Sequence, residues 1–216
     1  FYWVGFFILF ICLVGTYSRG AWLAVLGATI LFAVFKRSKW FLGGLIAVAL
    51  WGAFFSPPLI QARVSSAFDT TQGTLVERSR LWQESSRLIR INPWFGLGVN
   101  TYARNVPHVK AKEYKIDNQY AHNGYLQMTT EIGIVGLAIF LALSFYFITG
   151  ALRSFKTRAR SFLGTAGPAF VFGIVSFLFH SATETNLQSL LLVNTLWLAM
   201  GMAWAARTIA EESSGL

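Results

Sequence analysis

The chain reads as an all-α, polytopic membrane protein with about six transmembrane helices and a long, partly helical outer loop. Composition and the spacing of apolar runs predict this. Of its 216 residues, 55% are hydrophobic, 16% aromatic and only 12% charged, with a mean hydropathy of +0.52. A soluble domain carries roughly 25% charged residues. The apolar residues are gathered into six runs: Phe1 to Gly15, Ala21 to Phe35, Trp40 to Phe55, Ile132 to Leu152, Phe162 to Phe179 and Leu190 to Ala206. Between the third and fourth lie residues 56–131, too long for an idle connection and expected to carry function or structure of their own. Residues 1–216 form a single membrane domain on this reading, with 56–131 as a loop within it.

Taken in order, the first run opens at Phe1 inside an apolar segment, with no basic leader and no cleavage site. The chain therefore reads as the C-terminal part of a longer protein, the first span continuing upstream, since about 20 residues are needed to cross. Several other runs are near 16 residues, so their ends reach the interface. Trp22, Trp40, Trp51, Trp197 and Trp204, near the run ends, suit an aromatic belt there. The single cysteine, Cys12, lies within the first run, which leaves neither a disulfide framework nor a zinc site.

Orientation comes from the short connections. Lys36-Arg-Ser-Lys39 carries three positive charges and Arg153-Ser-Phe-Lys-Thr-Arg-Ala-Arg160 four, with no acid in either. The positive-inside rule places both in the cytoplasm. Alternation then puts residues 16–20, 56–131 and 181–189 together on the outer face. The net charge of +9 is largely accounted for by this clustering at run ends, so nucleic acid is not a partner.

The outer loop supplies its own helix. Thr74-Leu-Val-Glu77 is a capping box that opens it, and Asn92-Pro93 ends it. At about 100° per residue, Arg78 shares a side with Trp82, Ser85 and Ile89, flanked by Leu81 and Leu88. Arg80 lies opposite with Gln83, Glu84, Arg87 and Arg90. The apolar side must dock on the membrane domain, which carries Arg78 inward and leaves Arg80 at solvent or headgroups. Arg78 is the functional candidate, against an arginine that merely snorkels at the edge of the docked face. Pro93-Trp-Phe-Gly-Leu-Gly98 reads as an apolar turn with two glycines.

Four further polar clusters fall on the same face. Arg19, in Thr16-Tyr-Ser-Arg-Gly20, is either an interfacial anchor or a bidentate fork for a phosphate approaching from the lipid side. His122, in Tyr120-Ala-His-Asn-Gly-Tyr, stands beside Asn123 and within ten residues of Glu131, where a polar loop enters an apolar segment. An imidazole there can serve as a general base at neutral pH or simply hydrogen-bond the loop. Glu184, with His180, Thr183 and Asn186, either lines the same cavity or caps a short connection. His108, Lys110, Lys112 and Lys115, tempered by Glu113 and Asp117, read as a solvated surface.

Absent motifs narrow the chemistry. There is no Asp-x-Asp, HExxH, Walker loop, GxSxG or dinucleotide fingerprint. A metal-dependent nucleotide-sugar enzyme is disfavoured, and outside the membrane no nucleotide is supplied. A transferase there needs an activated donor already in the bilayer, with arginines in place of a metal at a diphosphate leaving group.

Read together, Thr16-Tyr-Ser-Arg-Gly-Ala-Trp-Leu23, Arg78 four residues before Trp82, Asn92-Pro-Trp-Phe-Gly-Leu-Gly98 with Tyr102, Ala121-His-Asn-Gly-Tyr-Leu-Gln127 and Glu131-Ile-Gly-Ile-Val-Gly-Leu137 resemble the bacterial O-antigen ligase and O-antigen polymerase family. Each motif alone is weak; the ordered set over residues 16–137 is fairly specific. The resemblance implies a GT-C-like, inverting membrane glycosyltransferase of the bacterial inner membrane, without metal or other cofactor. Its active site would face the periplasm, and it would act on a glycan linked to undecaprenyl diphosphate. It further implies that Arg19 and Arg78 hold the diphosphate and that His122 deprotonates an acceptor hydroxyl. Arg80, Asn123, Glu131 and Glu184 are possible supporting residues. The implied acceptor is the lipid A core. A polymerase that extends the same glycan, or an enzyme transferring glycan to protein, is the sibling reading. Of another class, a transporter or flippase would place ionisable groups deep within its spans, which here are nearly free of charge.

Overall fold

The computed structural model describes residues 2–37, 43–44, 58, 61, 74–109, 120–155 and 162–212. Among these, seven α-helices and one short 3₁₀ turn occur, and no strand: α1 Tyr2–Gly15, α2 Arg19–Lys36, α3 Thr74–Ile91, α4 Tyr102–Val109, α5 Gly124–Phe155, α6 Phe162–Ser181, the 3₁₀ turn Asn186–Gln188, and α7 Leu190–Glu212. The all-α expectation holds. Two helices, Gly124–Arg153 and Leu190–Ile209, are long and apolar enough to cross a membrane, while Val4–Gly15, Arg19–Phe35 and Ala166–Ser181 are apolar but shorter. Apart from residues 43–44, the expected third span at 40–55 lies outside the described residues, as do the lysine-rich stretch at 110–117 and most of the basic connection after Phe155.

The chain falls into two compact units, Phe1–Val76 and Glu77–Leu216. In the first, α1 ends in a tight turn. Thr16 donates through Oγ1 to the Leu13 carbonyl at 2.7 Å, and the Trp22 indole donates to that carbonyl at 2.9 Å, tying α2 back to α1. Ser18 is the N-cap of α2, its hydroxyl accepting from the Ala21 N–H at 3.3 Å. Side chains of α1 face outward around its circumference, from Val4 through Ile11.

In the second unit, α5, α6 and α7 pack around Phe140, Val171, Ile174, Leu196 and Met200, with Ala151 and Ala203 small enough for close approach. Their outer faces carry Ile139, Phe145, Leu191 and Leu198, all exposed. A smaller core, Leu88, Tyr102, Val106 and Ala121, seats α3 and α4 beside the loop before α5. Here Ser85 donates to the Leu81 carbonyl at 2.8 Å and lies 2.9 Å from the Tyr102 hydroxyl. Since the serine proton is committed, Tyr102 is the donor. Burial pushes its phenol up to about 12, so it stays protonated for that role.

The structure differs from the sequence expectation at α5. The helix begins at Gly124, within the residues expected to form the outer loop, and is broken at Gly133 (φ 72°, ψ −179°). A break strands N–H and C=O groups on both sides, and the 92–98 turn supplies their partners. Leu97 and Gly98 donate to the Thr130 and Glu131 carbonyls, each at 2.9 Å; Ile134 and Val135 donate to those of Pro93 and Trp94 at 2.8 and 3.3 Å. At about 1 kcal/mol net for each bond, and more where water is scarce, the turn holds the break in place. Glycine is required sterically: a Cβ on Gly133 would stand 2.1 Å from the Trp94 carbonyl oxygen, and one on Gly96 2.4 Å from the Glu131 carbonyl carbon. Gly133→Ala is therefore expected to lower the thermal midpoint of the purified protein by several degrees. Gly173→Ala, where a Cβ meets nothing within 4 Å, is expected to change it by no more than a degree or two.

Candidate active site

The site is built at the junction of α3, the loop before α5 and the connection between α6 and α7. α3 has the register expected: Leu81, Ser85 and Leu88 are buried, Arg78, Trp82 and Ile89 half-buried, and Arg80, Gln83, Arg87 and Arg90 exposed. The Arg78 guanidinium, 19% exposed, donates through Nη2 to Glu184 Oε1. The other carboxylate oxygen, Oε2, lies 3.1 Å from His122 Nδ1. Three residues far apart in sequence thus meet through one carboxylate. His122 is the open member, at 43% side-chain exposure against 28% for Glu184.

The backbone around each group is fixed. Ala121, fully buried, donates its N–H to the Gln127 amide oxygen at 3.1 Å. Asn123 caps α5, its Oδ1 accepting from the N–H groups of Tyr125 and Leu126 at 3.0 and 3.1 Å. Between these anchors His122 takes a left-handed conformation (φ 48°), uncommon for a residue with a side chain and held by its surroundings. Glu184 is pinned from both sides: its N–H donates to the His180 carbonyl and its carbonyl accepts from Gly124, both at 3.0 Å. The Tyr125 hydroxyl donates to the Leu178 carbonyl at 2.7 Å and joins α5 to α6.

Glu131 is buried and lies apart from this carboxylate. It accepts from the Asn100 N–H at 2.9 Å and from the Gln127 side-chain amide at 3.2 Å, so it braces the turn and the loop that carries His122. Arg80 is exposed on the opposite side of α3 from Leu81 and Ser85. Arg19 belongs to the first unit, half-buried at the first position of α2 behind the Ser18 cap. His108 is exposed at the end of α4.

Two features were not legible in the sequence. The direct pairing of Glu184 with both His122 and Arg78 joins residues with no common motif. His180 stands near Glu184, its Nδ1 3.0 Å from the Asn186 side-chain amide nitrogen; only its nearness in sequence to Glu184 pointed to it. Among the described residues, no three His, Cys, Asp or Glu side chains are arranged to hold a metal ion.

With described residues that form helices and no strand, two helices able to cross a membrane, and a paired histidine, carboxylate and arginine at the head of one of them, the protein is of a membrane type and carries a polar site. The family described as O-antigen ligase matches residues 4–141, more than half of the chain, which belongs to that family. Membership gives it a membrane-associated, O-antigen ligase-like function connected with lipopolysaccharide. No curated protein matches the chain significantly.

Proposed function

We propose that the protein is a glycosyltransferase moving a glycan from an undecaprenyl-diphosphate-linked donor to the lipid A core at the periplasmic face of the inner membrane. It would do so without metal and with inversion. The observation that supports this best is the meeting of His122 and Arg78 at one carboxylate. A base and a cation on the same small site are what substitution at an anomeric carbon with a diphosphate leaving group needs. The acceptor hydroxyl loses its proton to His122 as its oxygen bonds to the anomeric carbon. The bond from that carbon to the diphosphate oxygen breaks, and the lipid diphosphate departs with the electron pair. Arg78 offsets the charge that develops there. By the family resemblance, Arg19 is a second candidate cation for that diphosphate.

The acceptor is tested by the surface glycolipids of a deletion strain. Loss of long chains from the lipid A core with accumulation of lipid-linked polymer identifies a ligase. Accumulation of single repeats identifies the polymerase, and loss of glycan from protein identifies the third member of this set. Orientation rests on the charge asymmetry of the short connections. A cysteine introduced at position 112 is expected to be labelled by an impermeant reagent from the periplasm, and one at 156 to be spared. The reverse pattern overturns the assignment.

A further inference from the structure

We infer that Glu184 is a positioning residue for the transfer reaction, fixing which nitrogen of His122 accepts the proton and holding Arg78 in register with it. This rests on the reading of His122 as the base. A neutral imidazole has one N–H and one lone pair, and its partner decides which nitrogen carries which. The carboxylate at 3.1 Å from Nδ1 accepts only, so Nδ1 carries the hydrogen and Nε2 the lone pair. The more exposed imidazole then offers Nε2 to an acceptor hydroxyl.

The same carboxylate holds Arg78 through its other oxygen. Its own freedom is removed by the two backbone bonds to His180 and Gly124. A Cβ on Gly124 would approach the Glu184 carbonyl oxygen to 3.3 Å and Leu187 Cδ1 to 3.2 Å, so the connection packs against the start of α5. Among the described residues, the charged and titratable groups around the carboxylate are Arg78 from α3, His122 before α5 and His180 at the end of α6. When the acceptor proton reaches Nε2, the negative charge of Glu184 offsets that of the imidazolium.

The test uses full-length protein in membranes with a purified lipid-linked donor, following kcat, donor KM and the pH profile. Glu184→Gln is expected to lower kcat about 10²- to 10⁴-fold, the range open to a group that orients a catalytic imidazole, with donor KM within about threefold. Without the anionic neighbour the imidazolium is less favoured, so the acidic limb of the kcat profile moves to lower pH. Glu184→Asp keeps the charge and is expected to recover part of kcat, with the limb closer to wild type. A residue that only stabilised the connection would instead lose activity in proportion to folded protein and leave the limb in place, and that result overturns the inference. Should Glu184→Gln fail to accumulate, Glu184→Asp decides with kcat taken per folded protein: a wild-type kcat counts against the inference, and a reduced kcat at unchanged KM supports it. A fully active His122→Ala defeats the base reading itself. An inactive His122→Ala beside an unaltered Glu184→Gln defeats only the role of Glu184.

Discussion

His122→Ala is expected to abolish transfer while leaving insertion and folding intact. The side chain is 43% exposed and contributes nothing to either hydrophobic core, so its removal opens no cavity. What is lost, on the proposed mechanism, is the proton acceptor, worth about 10²- to 10⁴-fold in rate. The left-handed backbone at this position adds a small cost for alanine, and His122→Asn removes the ambiguity because asparagine adopts that conformation readily. Both variants should accumulate at wild-type levels and transfer no measurable glycan. Normal transfer by either variant would remove His122 from the chemistry.

The second large effect separates two arginines that are neighbours in sequence and opposites in space. Arg78 is half-buried and bonded to Glu184, whereas Arg80 is exposed on the other side of α3. Loss of a charge-assisted contact to a developing diphosphate costs roughly 2 to 4 kcal/mol, a rate loss of about 30- to 10³-fold. Arg78→Ala should fall in that range. Arg80→Ala should cost little, since exposed ionic contacts are worth at most about 1 kcal/mol. Arg78→Lys should recover only part of the rate, because a single ammonium cannot hold a carboxylate and a phosphate oxygen in the geometry of a planar guanidinium. Transfer measured for all three at matched membrane levels decides the question. Equal losses at 78 and 80 would contradict the role assigned to the inward face.

The register of α3 was legible because its signal is local: Leu81, Ser85 and Leu88 recur at helical spacing, and whatever docks there must face inward. The turn at 93–98 was legible for a similar reason, since proline and paired glycines restrict the backbone wherever they occur. The start of α5 was not. Gly124 through Ile132 is polar enough to read as loop, and its helicity depends on the Asn123 cap, on Tyr125 reaching Leu178, and on the turn that satisfies its C-terminal carbonyls. The last two are contacts with residues remote in sequence. Helix α4 escaped notice because only eight residues, with Pro107 among them, form it, and Tyr102 and Val106 reach a core supplied by α3 and the loop before α5. Glu184 and His122 likewise meet only because α6 ends beside the beginning of α5.

The interruption at Gly133 bears on how the bilayer can act on the site. A transmembrane helix tilts when the surrounding bilayer thickens or thins, and a free glycine hinge would absorb that tilt. Here both halves of α5 are bonded to one turn, so the angle between them is set by protein hydrogen bonds and the hinge is locked. Inclination of the apolar half is passed on to the segment beginning at Gly124, and with it to the neighbouring His122. On the proposed function, the reach of His122 toward its acceptor is thereby coupled to the inclination of that helix.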